Sequence, residues 1–210
     1  MFRDPFQMMV SLIVAFTSLP VHEAAHAYVA SKLGDNTAKY QGRLTLNPFV
    51  HLDLLGTVSL ALFGFGWAKP VPINPRNFKN PKLGMMLSSL AGPASNILLA
   101  LVLMIVYKIT SPFLYTATAY GSNFVTIIYI MVMLNTYLAV FNLLPIPPLD
   151  GSRLLTYFLP AKYYFKIMQY ERYIWIGLII LLYVGVLSRP MMWLSSLLIG
   201  VLDKMTFFLN

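Results

Sequence analysis

His22, Glu23 and His26 stand in the order His-Glu-Ala-Ala-His, two imidazoles four residues apart with a carboxylate beside the first. On a helix, residues four apart share a face, so both rings can reach one metal ion. Glu23 then projects beside the ion's open position, where a carboxylate can take a proton from water and pass it to a leaving amine. The chemistry these residue types suggest is metal-assisted hydrolysis. As a bare pattern the five residues also arise by chance. Their setting gives them weight, because they interrupt an otherwise uncharged run from Phe6 to Ser31. Unpaired His and Glu are costly in hydrocarbon and rarely sit there without a partner. A hydrogen-bonded His-Glu cluster without metal is the alternative reading.

A catalytic zinc takes three protein ligands and leaves a place for water. The chain has no cysteine, which excludes disulfides and thiolate sites and leaves His, Asp or Glu as ligands. Of the seven acidic residues, Asp4, Glu171 and Asp203 fall at expected surfaces, and Asp35 and Asp53 lie in a loop region open to water. His51, the third histidine, reads as an interfacial loop residue. Asp150 differs from all of these. It follows the uncharged 26-residue run Phe124–Leu149 and a proline-broken helix end, and is the strongest candidate for the third ligand. A turn aspartate before Gly151 is the ordinary alternative.

The elements that must position these residues are membrane elements. Of 210 residues 58% are hydrophobic and 10% charged, against roughly a quarter charged in soluble domains. Phe6–Ser31, Gly84–Tyr107 and Phe124–Leu149 each reach the ~20 residues that cross the hydrocarbon. Tyr173–Ser188 is a short fourth candidate, and Met191–Leu202 is shorter still. Leu54–Ala68 is too short for a confident span, contains Gly56, Gly64 and Gly66, and suits a re-entrant segment. Lys39–Leu46 has β-like alternation, broken by Asn47-Pro48. The prolines of Lys69–Pro75 favour an extended loop. Arg153–Arg172 reads as a basic amphipathic surface segment. The fold class expected is an all-α polytopic membrane protein of about 4–6 transmembrane helices, with a re-entrant or β-like loop between the first two core helices. A single domain, residues 1–210, is expected, its core 6–151 and its C-terminal helices 153–210. An N-terminal signal peptide is disfavoured, because cleavage near Ala25-His26-Ala27 would split the motif.

Charge separates two topologies. If 52–68 dips in and returns, eleven Lys and Arg from Lys32 to Arg172 share one side, against Arg3, Lys108, Arg189 and Lys204. If it crosses, the split is ten against five. The positive-inside rule favours the steeper bias, which puts the ends bearing His26 and Asp150 on the cytoplasmic side. The net charge of +8 is then explained by topology and anionic headgroups, and nucleic acid is not an expected partner.

Three stretches together resemble one family. His22-Glu23-Ala24-Ala25-His26, Gly92-Pro93-Ala94-Ser95-Asn96 and Asn142–Gly151 (Asn-Leu-Leu-Pro-Ile-Pro-Pro-Leu-Asp-Gly) resemble the signatures of site-2 protease family intramembrane metalloproteases. They frame residues 22–151 in the family's order. Ser152 departs from the second glycine common there, and no PDZ or CBS domain is visible, so the chain looks like a minimal member. The resemblance implies Zn2+ held by His22, His26 and Asp150, with Glu23 as general base. It also implies a membrane-protein substrate with a helical transmembrane segment, and cleavage for regulated intramembrane proteolysis or remnant clearance. Asn142 is a candidate for holding substrate backbone or an oxyanion; Asn96 is a weaker one, since with Gly92 it also suits a packing seam. An edge strand within Tyr40–Leu46 or Val58–Phe65 could pair with an unwound substrate. The expected location is a bacterial-type plasma membrane, in lipid, with the oligomeric state open. A metal-binding membrane protein or transporter without protease activity is the rival; a transporter would be expected to spread acidic and His residues along a pathway.

Overall fold

The computed structural model describes residues 5–63, 66–117 and 121–209. Among these, the regular elements are helices: α1 (Pro5–Lys32), α2 (Thr37–Tyr40), α3 (Pro48–His51), α4 (Leu54–Phe63), α5 (Pro81–Ala117), α6 (Gly121–Leu143), α7 (Ser152–Phe158), α8 (Ala161–Met168), α9 (Glu171–Tyr183) and α10 (Ser188–Met205). By length and apolar composition α1, α5 and α6 can cross a bilayer, and α9 with α10, bent by 80°, makes a fourth if taken as one broken span. The all-α membrane architecture is as expected, with the count at the low end. Two compact units, residues 1–95 and 96–210, divide the chain within α5.

In the first unit α1 is packed by α2, α3 and α4, with Phe16 and Phe49 meeting edge to face at 5.7 Å. The segment between α3 and the extended loop leaves and returns at one place. Leu52 and Ala68 form an antiparallel bridge, and the Lys69 N–H donates to the His51 carbonyl at 2.8 Å. A crossing would separate those ends by about the ~30 Å of the hydrocarbon. The 52–68 segment is therefore re-entrant.

Its interior is not β-like, however. Leu54–Phe63 is helical, Thr37–Tyr40 is a helical turn, and the Leu52–Ala68 bridge is the single strand-type pairing among the described residues. An apolar segment buried in lipid must satisfy its own backbone, and a helix does this without a neighbouring strand. Of the two edges proposed from sequence, Val58–Phe63 is thus helix, and Gly64 and Phe65 lie outside the described residues.

Asp35, fully buried after α1, ties this unit's loops together. Its carboxylate accepts from Thr37 Oγ1 and N, from Asn77 Nδ2 at 2.7 Å and from Asn74 N at 2.7 Å. Burial pushes its pKa up, but the bonds from Thr37, Asn77 and Asn74 together outweigh that and hold it below the usual carboxylate value. A carboxyl with a depressed folded pKa adds stability above its unfolded pKa of about 4, lost as pH falls through the folded value. Thermal unfolding of Asp35→Asn should therefore lie below wild type at pH 7, with the gap closing as both are titrated below about pH 4.

In the second unit α6 packs on α10, where Thr136 and Ser195 hydroxyls bond at 2.8 Å. Ala100, Met104, Val132 and Leu202 form the buried cluster. α5 runs past Tyr107, the end expected from sequence, because Lys108 does not stop it. That ammonium is buried, pairs with the Asp203 carboxylate at 2.8 Å and donates to the Asp203 carbonyl at 3.1 Å. A cation on the last carbonyls of α10 complements that helix end. Lys162, Tyr163 and Lys166 on α8 are exposed, as a surface segment requires.

Candidate metal centre

α1 carries both imidazoles into a buried position, each residue 6% exposed. Their Nε2 atoms are 3.0 Å apart, with the rings perpendicular and their centroids at 4.6 Å. His26 Nδ1 lies 2.7 Å from the Ser88 carbonyl on α5. A carbonyl can only accept, so Nδ1 is the donor there, and Nε2 is the nitrogen that faces His22. A tethered second nitrogen is how ligating histidines are oriented. Two nitrogens bound to one tetrahedral zinc at ~2.0–2.1 Å would stand about 3.3 Å apart, close to the spacing found. The donor set fits a metal of the zinc type.

Gly92 explains how α5 comes so near. A Cβ there would stand 2.5 Å from His22 Cε1 and from His26 Cε1 and Nε2. Any side chain would occupy the space of the rings. From sequence Gly92 belonged to a seam of small residues; the structure shows that the seam faces the imidazoles themselves.

Glu23 is partly buried, and its Oε2 accepts from the Val71 N–H at 3.2 Å. Beside this face of α1 lies a cleft of about 310 Å3 lined by Val21, Ala24, Ala25, Tyr28, Leu44, Thr45, Leu46 and Ser95. Neither the Ser88 carbonyl nor the Val71 amide was foreseeable as a contact. Both are backbone groups, which residue types and spacing do not reveal.

In the second unit Asp150 occupies the turn that follows α6. The Gly151 N–H donates to the Asn142 carbonyl at 2.6 Å, folding the turn back on the helix end. A Cβ on Gly151 would collide with the Leu143 carbonyl, so the residue after Asp150 has to be glycine for the chain to pass. Asn142 donates from Nδ2 to the Leu138 carbonyl of its own helix at 3.0 Å. Asn96 is fully buried and donates from Nδ2 to Asn135 Oδ1 at 3.0 Å, joining α5 to α6. This is the interhelical seam rather than a group turned to solvent. His51, read from sequence as an interfacial loop residue, is fully buried and donates from Nε2 to the Thr45 carbonyl at 2.8 Å.

The model of peptidase family M50 matches residues 108–184. YwhC of Bacillus subtilis, whose name gives it provisionally as a zinc metalloprotease, is 44% identical over 192 residues, 89% of this chain and 84% of that protein. The chain belongs to peptidase family M50. Zinc metalloprotease MJ0392 of Methanocaldococcus jannaschii is 30% identical over 154 residues, 73% of this chain and 35% of its own length. Rip2 of Mycolicibacterium smegmatis, named provisionally like YwhC, is 35% identical over 139 residues, 64% of this chain and 51% of its own length. No solved structure matches. As an M50 member the chain is an integral membrane protein of a zinc metalloprotease family, and its cofactor is Zn2+.

Proposed function

We propose that this M50 protein is an intramembrane endopeptidase that cleaves the transmembrane segments of other membrane proteins. The observation that carries the reading is the convergence of His22 and His26 Nε2 at 3.0 Å inside a bilayer-length helix, with Glu23 next to them. His22 and His26 would be two ligands, and Asp150 the third. What supports Asp150 is the engagement of its rivals elsewhere. Asp35 is spent on Thr37, Asn74 and Asn77. Asp53 accepts from the Gly56 N–H in the first turn of α4, and Asp203 pairs with Lys108.

Zinc held there would supply Lewis acidity, lowering the pKa of a water toward neutrality and polarising the scissile carbonyl. Glu23 takes the proton of the attacking water and returns it to the amine that leaves. The substrate must be unwound where it is cut, because a helical peptide's carbonyls are hydrogen-bonded and shielded. The cleft beside Val21, Ala24, Ala25 and Tyr28 offers such a segment room along the motif's own helix. Asn142, on the last turn of α6, is available to bind substrate backbone through its Oδ1.

The whole of residues 1–210 would act as one peptidase domain, in a bacterial-type plasma membrane. The re-entrant 52–68 segment supports a cytoplasmic-facing site, since it yields the steeper split of Lys and Arg. Reconstituted protein and a model transmembrane substrate test the function. Removing metal with a chelator should abolish cleavage, and stoichiometric zinc should restore it; undiminished cleavage by metal-free protein would sink the reading.

A further inference from the structure

The stretch Lys69–Asn74, a strap without regular secondary structure, meets Glu23 through the Val71 N–H and is anchored at both ends. At one end Arg43 Nη2 donates to the Lys69 carbonyl at 2.6 Å and the Pro70 carbonyl at 3.4 Å. Lys69 N donates to the His51 carbonyl at 2.8 Å. At the other end the Asn74 N–H is held by Asp35 Oδ2 at 2.7 Å, and Asn77 Nδ2 by Asp35 Oδ1. Between Lys69 and Asn74 stand Pro70, Val71, Pro72 and Ile73, the first three a Pro-Val-Pro tripeptide. The flanking prolines have no N–H, so the Val71 amide is the single backbone donor of that tripeptide. Pro72 also confines Val71 to an extended conformation. The one donor is bonded to Glu23 Oε2 at 3.2 Å.

We infer that Val71 is a positioning residue: its backbone N–H, presented by the anchored strap, fixes the Glu23 carboxylate so that Oε1 faces the attacking water. The inference rests on the protease reading above and adds a determinant outside the motif. A glutamate has three rotatable side-chain bonds, and most of its rotamers point the carboxylate away from any fixed place. One oxygen held by a rigid donor leaves the other in a defined direction, which is what general-base catalysis needs. The side chain of Val71 has no part in this. Only the amide does.

Val71→Pro exchanges the N–H for a ring carbon that cannot donate and that stands against Glu23 Oε2, while keeping the extended backbone; Val71→Ala keeps the N–H while shortening the side chain. Cleavage of a model transmembrane substrate in proteoliposomes, zinc content and melting temperature are measured for both. Partners that orient metal ligands are worth about 10–100-fold, and the same order is expected for a partner that orients the base beside them. The expected result is a fall of that size in kcat for Val71→Pro, with KM, zinc content and melting temperature unchanged and Val71→Ala near wild type. Combined with Glu23→Gln, Val71→Pro should add nothing to the loss. Wild-type kcat in Val71→Pro overturns the inference. So does an equal loss in Val71→Ala, or a loss that travels with zinc or melting temperature. If Val71→Pro does not accumulate, Arg43→Gln loosens the strap from outside, and kcat should fall at constant KM; unchanged kcat overturns the inference. Full activity in Glu23→Gln alone would instead overturn the general-base role on which the inference rests, whereas cleavage by metal-free protein would overturn the protease reading itself.

Discussion

Glu23→Gln is expected to keep its zinc and lose cleavage by a factor of about 10²–10⁴, the usual contribution of a positioned general base. The amide of glutamine has the same shape and can still accept from the Val71 N–H through its oxygen, so the strap and α1 should hold their places. What it lacks is basicity. The substitution therefore separates proton transfer from architecture. The measurement is single-turnover cleavage of a transmembrane substrate, with zinc per chain determined on the same preparation. Loss of both together would make Glu23 a structural member of the metal site. Retention of both would remove it from the chemistry.

Gly92→Ala should produce the opposite pattern, losing zinc first and activity in consequence. The added methyl would lie 2.5 Å from ring atoms of both histidines, well inside contact distance. Relief requires either that α5 withdraw, pulling the Ser88 carbonyl away from His26 Nδ1, or that the rings turn and part their Nε2 atoms. Either movement spoils the ligand geometry, and disturbing a ligand's orientation typically costs about 10–100-fold in metal affinity. Competition with a calibrated chelator should show that loss in Gly92→Ala. Ala27, fully buried on the same helix as the two histidines, provides the comparison: Ala27→Gly should weaken α1 while leaving affinity far closer to wild type.

Much of this was legible in the residues because membrane chemistry is sparse. In lipid a polar side chain stands out, and His22, Glu23, His26 and Asp150 were the few that needed a reason. Helix spacing then put the two histidines together, and the structure has them in mutual contact. The re-entrant 52–68 segment was legible for a similar reason: fifteen uncharged residues with three glycines are too short and too loosely built for a span. Its conformation was not legible, because short apolar runs look alike as strand or helix and only the surroundings decide. Lys108 misled the helix boundary, since a charge marks a membrane edge only if it is solvated, and this one is satisfied by Asp203. The Ser88 carbonyl, the Val71 amide and the clearance at Gly92 were out of reach altogether. They belong to backbone and space, and residue type records neither.

The most direct measurement is the zinc content of the purified protein, compared among wild type, His22→Ala, His26→Ala and Asp150→Ala after equilibration with the same dilute chelator. A three-ligand catalytic site predicts about one zinc per chain in wild type and nearly none in each variant. Full zinc in Asp150→Ala, with zinc lost from the two histidine variants, would contradict the assignment of Asp150 as the third ligand.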